Sequence, residues 1–215
     1  MGPQRSEATT LALDTYLDEL ATWSAHLNLT TVPRGQMWSR HVDEVVELLE
    51  VAAPAHGSRV VDIGSGGGVP GVAVAILRPD LRVTMLEADK RKSGFLVHVA
   101  GLLRLSGVEV EAIRAEDAGR RAGTRETFDL ATSRAAAPPD VLCELALPLL
   151  RIGGSLCALV TDAPSTLASC AAAAAACGGG VPQAPAGGVL RVEKVSPTPA
   201  EYPRRTGVPG RRPIS

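Results

Sequence analysis

The sequence predicts an α/β protein, a mostly parallel sheet wrapped by helices on both faces and preceded by a short helical extension. Three observations carry that prediction. From Arg59 onward, short β-branched runs alternate with helical stretches, the pattern of right-handed strand–helix–strand crossovers. One run ends in "VVDIGSGGGVPG" (residues 60–71), the kind of turn beyond which open sheets hold their ligands. The composition, 45% hydrophobic and 21% charged over 215 residues, is that of a globular chain able to bury a substantial core.

Residues 8–27 place Leu13, Tyr16, Leu17, Leu20, Trp23 and Leu27 at helical spacing, and a second helix is expected from about Gln36 to Val51, stopped by Pro54 and Gly57. Strands are expected at Val60–Ile63, Arg82–Glu87, Val108–Arg114, Phe128–Ser133 and Ser155–Val160, with helices at about 71–78, 90–105 and 138–150 between them. The alanine-rich "CAAAAAAC" closes a helix from about Ser165 to Cys177, halted by three glycines. A last strand, Val189–Val195, leads into "SPTPAEYPRRTGVPGRRPIS", which carries no periodicity. The chain thus divides into an extension (1–56), a core (57–195) and a Pro/Arg-rich tail (196–215), without internal repeats.

Composition narrows the function. Only 3% of residues are aromatic, so stacking platforms for single-stranded nucleic acid are scarce. A net charge of -1 excludes a uniformly basic nucleic-acid binder but leaves room for a local patch. No apolar run approaches the length of a membrane span, and "MGPQRSEATT" lacks the apolar segment of a secretory signal; its fit to a myristoylation pattern is formal only. Cys143, Cys157, Cys170 and Cys177 form no CxxC pair, and His26, His41, His56 and His98 show no metal-ligand spacing. The expectation is a cytoplasmic, metal-free protein whose cysteines act as small buried apolar residues.

The glycine loop admits three readings. A phosphate loop needs GxxxxGK[ST], and no lysine follows Gly71. A dinucleotide loop needs GxGxxG, which Gly64, Gly66, Gly67 and Gly71 meet only loosely. D-x-G-x-G-x-G is met by Asp62, Gly64, Gly66 and Gly68 as they stand. That is the pattern of class I S-adenosylmethionine-dependent methyltransferases, whose fold is a Rossmann-like, mostly parallel seven-stranded sheet. The charges agree, because Asp62 suits an ammonium and sulfonium ligand and would repel a pyrophosphate. Glu87 ends the next strand, where ribose hydroxyls need an acceptor, and "AED" (Ala115–Asp117) stands after the third strand, where adenine is expected.

The residues after the fourth strand bear on the methyl acceptor. "FDLATSRAAAPPD" has neither an [ND]PP[YFW] motif for exocyclic amines nor a catalytic cysteine. Arg134 stands there instead, and two readings are open for it: a solvated arginine at a helix start, or a cation with an anionic partner in the cleft. Without a base, guanine N7 is a natural acceptor, since its lone pair needs no deprotonation and positioning can carry the catalysis.

The stretch "DIGSGGGVPGVAVAILRPDLRVTMLEADKRKSGFL" resembles the bacterial 16S ribosomal RNA guanine-N7 methyltransferases, the family also called glucose-inhibited division protein B. "WSAHLNLTTV" with His41 after it, "SRAAAPPDVLCELALPLLRIGG" and "EYPRRTGVPGRRPI" are similar to further segments of that family, in order, over residues 11–214. The resemblance implies that Gly64, Ser65, Gly66 and Gly68 surround the methionine part of S-adenosyl-L-methionine and that Glu87 binds ribose. It further implies that Ala115 and Glu116 flank adenine, that Arg134 is catalytic beside cofactor and base, and that the substrate is 16S RNA or the small-subunit particle, methylated to 7-methylguanosine by a monomer. Arg204, Arg205, Arg211 and Arg212, in a segment without acids after Glu201, are the expected phosphate contacts; a basic terminus without a role is the competing reading. The chain departs from the family at Val160 and Thr161, where lysine-glycine is usual, and at Glu44 and Val45, where aspartate-serine is usual. A methyltransferase for a small molecule, and a non-catalytic cofactor- or RNA-binding protein, are the two other functions the sequence admits.

Overall fold

A computed structural model describes residues 6–186 and 188–214, so the myristoylation pattern at the amino terminus lies outside the described residues. Seven strands form one sheet in the order β3-β2-β1-β4-β5-β7-β6. They are β1 (Arg59–Ile63), β2 (Arg82–Leu86), β3 (Val108–Glu111), β4 (Phe128–Arg134), β5 (Leu150–Leu159), β6 (Gln183–Ala186) and β7 (Val189–Glu193). The first five run parallel, β7 pairs antiparallel with β5, and β6 with β7. This is the expected seven-stranded, Rossmann-like architecture.

Alternation along the strands builds two cores. Val60, Val83, Met85, Leu130 and Cys157 face one side, covered by α1 (Glu7–Leu27), α2 (Glu44–Ala52), α3 (Gly71–Leu77) and α4 (Lys90–Leu102). Val61, Ile63, Leu86, Ala131, Leu156 and Ala158 face the other, covered by α5 (Ala115–Arg120), α6 (Pro139–Ala146) and α7 (Ala163–Ala176). The amino-terminal helix belongs to the first core, since Leu13, Tyr16, Leu17 and Leu20 are all fully buried in it. Ser6 starts that helix by accepting the Thr9 N–H at 3.1 Å, and Asn28 ends it in the left-handed conformation.

Several boundaries differ from expectation for local reasons. β3 stops at Glu111 because the Ile113 N–H turns back to the Glu111 carbonyl, and α4 ends at Leu102 ahead of Arg104, whose φ is 53°. The second expected helix is a 3₁₀ turn (Arg34–Gln36), a π turn (Trp38–Asp43) and then α2. α5 and β6 are additional to the expected elements, and the tail ends in a short helix, α8 (Val208–Arg211). All four cysteines are buried. Among the described residues no helix is long and apolar enough to cross a membrane.

Candidate active site

The turn from β1 into α3 requires its glycines. Gly64, Gly66 and Gly68 have φ of 66°, 52° and 89°, a region L side chains rarely adopt. A β-carbon on Gly64 would lie 2.6 Å from that of Ala136, and one on Gly68 would lie 2.5 Å from Val72 Cγ2. Gly64 and Ser65 donate their N–H groups to the Leu86 carbonyl, tying the loop to the end of β2, and Ser65 Oγ donates to the Asp62 carbonyl. From the other side the loop is held by α1, because Tyr16 Oη donates to the Gly67 carbonyl at 2.8 Å. Helical spacing marks Tyr16 only as an apolar position. The signal for its second role is chemical, since a buried tyrosine hydroxyl needs a partner.

Asp62 departs from its expected place beside a cationic ligand. It is fully buried behind the loop, where its carboxylate accepts the Thr132 hydroxyl at 2.9 Å and the Gly71 N–H at 3.2 Å. The strand turns so sharply into α3 that the helix's first N–H groups need an acceptor, and Asp62 supplies it. Burial above all, with Glu87 adding to it, pushes its carboxyl from 3.8 up to about 6. The native state therefore binds more protons than the unfolded chain between these values, and this group's contribution to stability falls as pH rises through them. Asp62→Asn should gain about 2 kcal/mol over wild type between pH 4 and pH 7, measured as the difference in unfolding free energy at each pH; an unchanging difference would refute the raised carboxyl.

Glu87 stands half-buried at the end of β2, its oxygens accepting the Gly66 N–H at 2.9 Å and the Asp89 N–H at 2.8 Å. Ala115 opens α5 and packs in the second core. The Glu116 carboxylate is committed to the tail, accepting the Gly207 N–H at 2.9 Å, instead of standing free at the expected place beside adenine.

Arg134 is the last residue of β4, and only 17% of its side chain is exposed. Its Nη1 donates to the Arg40 carbonyl and to His41 Nδ1, and lies 3.1 Å from Glu44 Oε2. The π turn carries both Arg40 and His41 to this point, and such turns recur at functional sites. Because guanidinium is always a donor, His41 Nδ1 must accept, and Nε2–H donates to Thr30 Oγ1 at 3.0 Å. Burial first, then Arg134, lowers the His41 pKa to about 4, so the ring is neutral at pH 7. The solvated-arginine reading is thus overturned: Arg134 has its anionic partner in Glu44.

Arg134 and Glu44 line a cavity of about 790 Å³ with Arg40, Glu47, Thr161 and Asp162. Ala135 and Ala137 also line it, while Ala136 between them packs on Gly64, so cavity and glycine loop share one wall. Val160 also lies in the wall, where a lysine would have added a cation.

The tail runs across α5 and α6 as a strap. Arg204 is not available for phosphate as expected. Its guanidinium is committed to Glu144, with Nη2–Oε2 at 2.6 Å and Nε–Oε1 at 2.9 Å, because the carboxylate is buried and needs a cation. Arg205, Arg211 and Arg212 are exposed and form no ion pair among the described residues.

Residues 10–184 match the family described as rRNA small subunit methyltransferase G (GidB). The chain belongs to that family. A Moorella thermoacetica protein named ribosomal RNA small subunit methyltransferase G is 36% identical over 94% of this chain and 89% of its own. A protein of that name from Roseiflexus castenholzii is 39% identical over 93% and 89%. Among solved structures, a protein of Agrobacterium tumefaciens described as a predicted O-methyltransferase superposes with a TM-score of 0.57 at 20% identity, over 71% of this chain and 81% of its own. The precorrin-6y C5,15-methyltransferase of Geobacter metallireducens does so with a TM-score of 0.53 at 14% identity, over 71% and 88%. Both likenesses concern the fold. Enzyme class and methyl donor are those the glycine loop pointed to: this is an S-adenosylmethionine-dependent methyltransferase.

Proposed function

We propose that this methyltransferase acts on N7 of a guanosine in 16S ribosomal RNA, as a cytoplasmic monomer. The observation that carries the reading is the cavity itself. It adjoins the glycine loop and is walled by Arg134, and the groups nearest that arginine are engaged: Glu44 is ion-paired, and His41 is buried with its acceptor nitrogen occupied, while Asp162 caps α7 and Glu47 lies on the exposed side of α2. N7 offers a lone pair and needs no base, so holding the guanine in line is the protein's task. None of the four cysteines lines the cavity, which speaks against attack by a thiolate on a pyrimidine.

The residues present fit the cofactor. Asp62 and Glu87 are two acids at neighbouring strand ends, neither in an ion pair among the described residues, and burial first and then Glu87 disfavour the Asp62 charge. A ligand carrying ammonium and sulfonium groups relieves that repulsion. When bound, S-adenosylmethionine supplies an electrophilic methyl group. The protein's share is to hold the loop through Tyr16, the Leu86 carbonyl and Asp62, and to present Glu87 to the ribose.

The test is methyl transfer from labelled cofactor to unmodified small-subunit RNA, followed by nuclease mapping. Label in a single 7-methylguanosine is expected, and its absence from RNA and particle alike would overturn the reading. Arg205, Arg211 and Arg212 are the proposed phosphate contacts. Replacing all three by alanine should weaken RNA binding and flatten its salt dependence by roughly 0.7–0.9 logarithmic units per lost contact, with cofactor affinity unchanged. An unchanged slope would remove the tail from the interface.

A further inference from the structure

The proposed acceptor cavity contains a charge pair that sets donors beside acceptors. Glu44 forms ion pairs with Arg40, Oε1 lying 3.1 Å from Nε, and with Arg134, Oε2 lying 3.1 Å from Nη1, and both Glu44 and Arg134 line the cavity. These contacts leave groups unused. Each carboxylate oxygen of Glu44 has a second lone pair. Arg134 Nε and Nη2 meet no acceptor among the described residues, and neither is buried. The cavity therefore presents a donor beside an acceptor, fixed in relation to each other by the ion pair. His41 and Thr30 brace the arrangement from behind, since His41 Nδ1 and the Arg40 carbonyl both hold Arg134 Nη1.

We infer that Arg134 and Glu44 together select guanine, Arg134 donating to O6 and Glu44 accepting from N1–H and the N2 amine. The inference rests on the N7-guanosine reading and names the residues that enforce it. Guanine's edge runs acceptor, donor, donor, from O6 through N1–H to the N2 amine. Adenine offers a donor at N6 and an acceptor at N1, the reverse order, and would set like groups against each other. A base held by O6 and N1–H keeps the N7 lone pair clear of any protein donor, as a nucleophile must be. Asp162 and Glu47 also reach the cavity, but Asp162 caps α7 through the Ser165 N–H, and Glu47 lies on the exposed side of α2 and forms no ion pair among the described residues.

Inosine at the mapped target nucleotide tests this, because it differs from guanosine only in lacking the N2 amine. With the wild-type protein, that substitution should lower kcat/KM for N7 methylation by about 10-fold. Glu44→Gln should lower kcat/KM on guanosine RNA by roughly 10- to 100-fold, with S-adenosylmethionine affinity by calorimetry unchanged. In that variant the further penalty for inosine should shrink, since the amide keeps only one of the two acceptor oxygens. Equal inosine penalties in the two proteins would overturn the inference, as would full activity of Glu44→Gln on guanosine RNA. Indifference of the wild-type protein to inosine would overturn the amine contact without any variant. No N7 transfer by the wild-type protein would overturn the guanosine reading and this inference with it, whereas N7 transfer with equal penalties overturns the inference alone.

Discussion

Glu87→Ala should weaken S-adenosylmethionine binding at least 100-fold, measured by titration calorimetry. The carboxylate stands at the end of β2 and in this structure accepts two backbone N–H groups, from Gly66 and Asp89, at 2.9 and 2.8 Å. Those bonds fix its orientation and leave lone pairs for two ribose hydroxyls. Hydrogen bonds to a charged group contribute roughly 1.5–3 kcal/mol each, so losing two removes at least two powers of ten in affinity. The alanine also frees Gly66, whose φ of 52° is held partly by that contact, and a looser loop adds to the loss. Glu87→Gln keeps one acceptor oxygen and should fall between, near 10-fold. Wild-type affinity in Glu87→Ala would remove the ribose from this strand end.

Glu87 was legible as a candidate because its signal is local: a carboxylate at a strand end, a fixed distance after a glycine loop. The parallel core was legible for the same reason, since β-branched runs and apolar helix faces repeat at short range. Elements without periodicity were not. α5 is six residues with no full apolar stripe, and β6 is an edge strand containing Pro185, a residue that argues against a strand unless its nitrogen, which has no hydrogen to donate, faces away from the partner strand. Partnerships made across the fold were also hidden. Glu44 and Arg134 are far apart in sequence and meet only because the fold brings the first residue of α2 to the last residue of β4. The tail shows the limit most clearly. Four arginines in an acid-poor segment look alike, and only packing against α6 separates Arg204 from the other three.

That difference carries the second large effect. Glu144→Ala should destabilise the protein by about 3 kcal/mol, measured by chemical denaturation, while leaving cofactor affinity unchanged. Glu144 is 1% exposed, and its carboxylate takes the Arg204 backbone N–H at 2.7 Å as well as both arms of the guanidinium. Removing it strands an N–H and a charge that is only 27% exposed. The converse change, Arg204→Ala, leaves a carboxylate in the core and should cost as much. Replacing both, Glu144→Leu with Arg204→Met, removes the desolvation cost along with the attraction and should regain most of the loss. The double variant distinguishes a fastening ion pair from general damage, since unrelated packing defects would add rather than cancel. A cost below about 1 kcal/mol for Glu144→Ala would mean that the strap is held elsewhere, through Glu116 to Gly207 and Asp117 to Thr206. Either result bears on RNA binding, because Arg205, Arg211 and Arg212 can meet phosphates at fixed positions only if the segment between them is fastened to the sheet.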